Sequence, residues 1–246
     1  MEAELAAAAN TSNANPYGLV ALWNTGMISK VTLIILVFMS LYSWFIIFTK
    51  LWDQRNMAKA AADVEKKFWT ASSIKEGVER LRKGDDFRYI AEDGLRAASH
   101  HEGRLTDRID LHEWVTMALQ RATDAVTSNL ASGLPFLATV GSTAPFIGLF
   151  GTVMGILNAL IDIGMSGQPS IDRVAGPVGE ALQMTAIGLV VAVPAVAGYN
   201  WLLSRNKVLQ AEVQSFASDL HAYLLSGSRV DAGAASAGAA NKPAGK

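Results

Sequence analysis

Charges are absent or nearly so from three long stretches of this 246-residue chain. None falls in Val31–Thr49, none in the 37 residues from Ala125 to Ile161, and Val174–Ser204 holds one, Glu180. A membrane-spanning helix needs about 20 apolar residues, so spans are predicted over 27–49, 134–161 and 174–203. Between the first two the pattern changes period rather than vanishing. Met57, Ala61, Val64 and Phe68 lie on one helical stripe, Ile74, Val78 and Leu81 on a second, and Leu111, Val115, Ala118 and Ala122 on a third. Lys83-Gly84-Asp85-Asp86 reads as a turn. After the third span, Val208, Val213, Phe216 and Leu220 continue as an amphipathic extension. No strand-like alternation is seen. The fold class expected is an all-α membrane protein, with three transmembrane helices and long helical cytoplasmic extensions. Helix 1 shows no polar stripe and is expected at the periphery, facing lipid, with helices 2 and 3 lining the centre.

Charge assigns the sides. Of the 21 Lys and Arg residues, 14 lie between the first two spans and five after the third, while Lys30 and Arg173 stand alone on the other side. Basic residues mark the cytoplasmic face, so the N-terminus is expected outside and the C-terminus inside. This makes 1–26 and 162–173 periplasmic and 50–133 and 204–246 cytoplasmic. Residues 17–23 suggest a short interfacial segment, and 226–246, mostly Ala, Gly and Ser, a disordered tail. Glu2 and Glu4 replace the basic start of a signal peptide. Net charge is −1, which implies no general attraction to nucleic acid.

Catalytic chemistry finds no foothold. There are no cysteines, so disulfides and thiolate sites are excluded. His112-Glu113 opens an HExxH pattern, but position 116 is Thr. His100, His101, His112 and His221 show no ligand spacing and read as solvated cytoplasmic side chains. No enzyme activity, metal or cofactor is expected.

The candidate chemistry lies in the spans. On helix 2, Gly141, Gly148, Gly151 and Gly155 share one face, and small residues let helices approach closely in lipid. Packing within one subunit and packing between subunits both account for them. Helix 3 has a matching small stripe of Ala181, Thr185, Gly188 and Ala192. A threonine in a span can bond its own i−4 carbonyl and need no further role. Glu180 is costly in a bilayer, which makes it a candidate proton or ion relay. A carboxylate near a helix start also complements the helix dipole. Pro145 and Pro194 each free a carbonyl, as kinks beside a water path or as ordinary bends.

Two runs are specific: Gly141-Ser-Thr-Ala-Pro-Phe-Ile-Gly-Leu-Phe-Gly-Thr-Val-Met-Gly-Ile156 and Gly176-Pro-Val-Gly-Glu-Ala-Leu-Gln-Met-Thr-Ala-Ile-Gly-Leu189. They resemble the MotA/TolQ/ExbB proton-channel family. Three spans rather than MotA's four match the ExbB and TolQ branches, and the Asn15-Pro-Tyr-Gly-Leu-Val20 entry and the length are similar to the ExbB branch. The resemblance implies a homopentamer in the bacterial inner membrane, around the helices of an ExbD-like single-pass partner that brings a membrane aspartate. It implies use of the proton-motive force to energise a TonB-like protein and outer-membrane transport, or, in the TolQ branch, cell-envelope maintenance. By motif, Thr152 and Thr185 correspond to pore threonines and Glu180 to the membrane glutamate. Gln183-Met184 is bulkier than the small residues expected there.

Overall fold

The computed structural model describes residues 27–99, 110–166 and 171–227. The expected N-terminal segment, the tail beyond 227, and His100 and His101 lie outside the described residues. Among those described there is no strand. The helices are α1 (Met27–Asp63, continued by a π-helical turn at Val64–Phe68), α2 (Ile74–Arg80), α3 (Asp86–Ser99), α4 (Leu111–Ala131), α5 (Leu134–Ser166) and α6 (Ile171–Ser226). Three helices are long and apolar enough to cross a membrane. Two run past their expected limits: α5 to Ser166 and α6 from Ile171, so much of the expected outer loop is helix. Nothing in Asp162–Ser166 stops a helix, because Gly164 alone weakens one without breaking it.

The chain divides into two compact units. The first holds the described residues up to Thr49 together with Gly133–Leu202. Its outer surface is apolar, with Phe38, Phe48, Phe146, Val153, Val190 and Val193 all largely exposed. A water-soluble domain rarely shows such a continuous face, whereas lipid favours it. The inward face of α1 corrects the expectation of a helix with no polar stripe. Ser29, Thr32, Leu36, Met39, Ser43 and Ile46 are buried at alternating offsets of three and four. Thr32 and Ser43 donate to the carbonyls of Ile28 (2.9 Å) and Met39 (2.7 Å), so each hydroxyl is satisfied by its own helix and presents little polarity outward. That local satisfaction lets small polar residues sit unremarked in an apolar run.

The second unit, Lys50–Ser132 with Leu203 onward, is built as a water-soluble bundle is built. Phe68, Phe87 and Phe216 meet at its centre, with ring centroids of Phe216 5.3 Å from Phe68 and 5.4 Å from Phe87. Val78, Leu81, Ile90, Val115, Leu119 and Val213 pack around them. The stripe on α6 needs one correction: Val208 is exposed and Leu209 is buried, because the inward positions step back by four from Val213. Local signals set the short helices. Ser73 accepts from the Glu76 N–H, and the Glu76 carboxylate accepts from the Ser72 N–H at 3.1 Å, a reciprocal cap at the start of α2. That bond, helped by Arg80, holds the exposed Glu76 carboxyl below its ordinary value. The turn read at 83–86 is present: Gly84 takes φ +82°, and the Asp85 carboxylate accepts from the Phe87 N–H at the start of α3.

Candidate functional site

The small faces of α5 and α6 meet within the one chain. Gly148 lies against Gly188 so closely that a Cβ on Gly148 would stand 2.6 Å from the Met184 carbonyl oxygen and 3.1 Å from the Gly188 Cα. A Cβ on Gly188 would stand 2.7 Å from the Ala144 carbonyl oxygen. Further along, Gly155 faces Ala181, and Gly141 faces Val196. The pairings run in opposite directions along the two helices, an antiparallel seam with backbone near backbone. Both Pro145 and Pro194 lie inside uninterrupted helices, as does Pro177.

This close approach brings the two threonines together. The Thr152 hydroxyl lies against its own Gly148 carbonyl (3.2 Å), the Ala181 carbonyl of α6 (2.9 Å) and the Thr185 hydroxyl. One hydroxyl carries one proton. When Thr152 donates to Ala181, its oxygen is left to accept from Thr185, giving a two-hydroxyl chain ending on a backbone carbonyl. Thr152 is buried, while Thr185 is half-buried and reaches the edge of the seam. Self-bonding to the i−4 carbonyl thus accounts for only part of what Thr152 does.

Glu180 is half-buried on α6. It lies nine residues beyond the helix start at Ile171, and the dipole acts mainly within the first turn. The helix dipole therefore does little to explain a carboxylate at this depth. Five residues separate it from Thr185, about 7.5 Å along the axis and about 140° around it. Met184, bulkier than expected at its place, is fully buried, and Gly151 makes the room. A Cβ on Gly151 would stand 3.2 Å from the Met184 Cβ and 3.1 Å from the Thr32 Cγ2. Thr32 of α1 thus packs beside the threonine pair, a neighbour that the sequence reading missed because α1 looked uniformly apolar.

Two polar groups in the second unit also escaped the sequence reading. Gln54 donates to the Asn206 side-chain oxygen at 2.7 Å, and Asn206 donates to the Leu130 carbonyl at 2.8 Å, both within the interior. The seven-residue spacing of Ser43, Lys50 and Met57 brackets Gln54 on the inward face, a signal that was available. Of the histidines, His112 and His221 are not merely solvated. Their rings pack edge to face with centroids 4.8 Å apart, and His221 Nε2 is 3.0 Å from the Thr116 hydroxyl. Among the described residues no group of three or more His, Cys, Asp or Glu is arranged to hold a metal.

A sequence model of the MotA/TolQ/ExbB proton channel family matches residues 86–215, more than half the chain. The chain belongs to this family. It is 42% identical over 212 residues to a biopolymer transport protein ExbB of Xanthomonas campestris pv. campestris, covering 82% of this chain and 84% of that one. It is 36% identical over 197 residues to an ExbB of Neisseria meningitidis, covering 78% and 90%. A Tol-Pal system protein TolQ of Pseudomonas aeruginosa is 34% identical over 206 residues, covering 82% and 89%. Together with the three apolar helices, membership in the MotA/TolQ/ExbB family makes the chain a membrane protein that works within a membrane complex. The matched segment contains the whole α5–α6 seam, including both threonines and Glu180.

Proposed function

We propose that the chain is an ExbB-like proton-channel subunit that uses the proton-motive force to energise a TonB-like protein for outer-membrane transport. The observation that carries this reading is the buried contact between the Thr152 and Thr185 hydroxyls in an otherwise apolar seam. A hydroxyl pair at that depth offers proton-passing groups in surroundings that are mostly aliphatic. In this reading the chain lies in the inner membrane, N-terminus out and C-terminus in, as a pentamer around an ExbD-like single-pass partner. Thr152 is held by two carbonyls and positions Thr185, whose half-buried hydroxyl faces the partner's carboxylate through water. Glu180 exchanges protons at the outer end of the same helix. One charge crossing 100 mV releases about 2.3 kcal/mol, so a few protons per cycle supply useful mechanical work.

The test is proton flux and TonB-dependent uptake in cells carrying Thr152→Val with Thr185→Val, beside Glu180→Gln. Both variants should assemble with the partner and lose most flux. Unchanged uptake in the double valine variant would sink the relay. The TolQ relative, with nearly the same coverage, supports a second reading as a Tol-Pal subunit. Affinity capture of the single-pass partner separates the two.

A further inference from the structure

The second unit carries an open cavity of about 560 Å³ whose lining is charged with both signs. Lys50, Arg82 and Lys83 are its basic lining residues, and Asp53, Asp85 and Asp86 its acidic ones. Its place in the chain is informative. Lys50 directly follows the charge-free run Val31–Thr49, and Ser132 stands two residues before α5 begins. Both line the cavity, so it sits where two apolar spans end. The Lys50 ammonium ties these ends together by donating to the Asn129 carbonyl (2.8 Å) and the Ser132 hydroxyl (2.7 Å). A lysine has a third proton to give, and neither Arg82 nor Lys83 is buried.

From this placement and this lining of both signs, we infer that the cavity binds the phosphoethanolamine headgroup of a phospholipid. The phosphate lies on Lys50, Arg82 and Lys83, and the ammonium on Asp53, Asp85 and Asp86. The acidic residues are short of a cation at Asp86, where burial, then the Asp85 and Asp53 charges, all push the carboxyl above its ordinary value. A primary ammonium corrects that repulsion and donates three hydrogen bonds. Choline carries no N–H to donate, and a glycerol headgroup brings no positive charge, so neither pairs fully with both the basic and the acidic residues. Free phosphoethanolamine shares the headgroup chemistry but lacks the acyl chains that enter a bilayer. The inference does not depend on whether the chain conducts protons.

The test is native mass spectrometry of the full-length protein, delipidated and then offered equimolar phosphatidylethanolamine, phosphatidylcholine and phosphatidylglycerol. Phosphatidylethanolamine should be retained over the other two by on the order of tenfold, the lower worth of one charge-assisted hydrogen bond. Asp85→Asn with Asp86→Asn should bring it down to the phosphatidylcholine level. Arg82→Gln with Lys83→Gln, both at exposed positions, should weaken all three lipids, and circular dichroism confirms that each variant is folded. Equal retention of the three lipids, or a preference that survives the double asparagine variant, overturns the proposal. Displacement of bound lipid by micromolar O-phosphoethanolamine overturns the lipid as its source, whereas resistance at millimolar concentration supports it.

Discussion

Replacing Gly188 by alanine tests whether the α5–α6 seam holds the threonine pair together. The added methyl would stand 2.7 Å from the Ala144 carbonyl oxygen and 3.1 Å from the Gly148 Cα, and both obstacles are backbone. No rotamer can relieve that contact, so the helices must separate by roughly half an ångström to restore van der Waals distance. Overpacking of this kind costs about 1–3 kcal/mol. The same movement stretches the 2.9 Å bond from Thr152 to the Ala181 carbonyl toward the limit of a hydrogen bond. A hydrogen bond between membrane helices adds only about 0.6 kcal/mol on average, so the larger part of the loss comes from sterics. Gly164→Ala is the matched control. It lies on α5 with nothing within 4 Å of the new methyl, and relief of glycine's conformational freedom stabilises by about 0.5–1 kcal/mol. Unfolding in mixed micelles by increasing SDS should therefore move in opposite directions for the two variants. A Gly188→Ala protein as stable as the wild type, or one shifted the same way as Gly164→Ala, would refute the close-packed seam.

Three further outcomes are expected. Asn206→Leu removes the acceptor of Gln54 and the donor to the Leu130 carbonyl inside the second unit; it should cost about 1–3 kcal/mol in chemical unfolding, and a double-mutant cycle with Gln54→Leu should show coupling between the two sites. Phe216→Ala takes one ring out of the cluster with Phe68, Trp69 and Phe87 and should cost about 3–5 kcal/mol, read as earlier melting of the same unit by circular dichroism. Asp86 has its folded-state carboxyl raised above its ordinary value of 3.8, chiefly by burial, so its contribution to stability is complete below that value and is lost as pH rises through the folded-state value. Asp86→Asn, measured in detergent free of ethanolamine lipid, should therefore gain stability relative to wild type as pH climbs from below 3.8 toward neutrality, and a difference that stays flat across that range would contradict the burial argument.

The number of spans and the helical class were legible in the sequence because each follows from a one-dimensional quantity. A run with at most one charge either is or is not long enough to cross about 30 Å of hydrocarbon, and Val31–Thr49, Ala125–Ile161 and Val174–Ser204 all are. The turn at Gly84, the buried stripe through Met57, Val64 and Phe68, and the small faces of α5 and α6 followed likewise from local chemistry and helical period. What only the tertiary structure decided is what those faces meet. The glycines of α5 could have served a neighbouring copy or the same chain, and the sequence carries no term that distinguishes them. The structure sets Gly148 on Gly188 within one chain, and that register alone brings Thr152 and Thr185 into contact. The inward face of α1 stayed hidden because Thr32 and Ser43 bond their own helix and look apolar in any average. Leu209 rather than Val208 turned inward because a helix phase is set by its partners, not by which apolar residue comes first. Composition determines which solvent each segment accepts; side-chain partnership across helices depends on distances that exist only once the chain has folded.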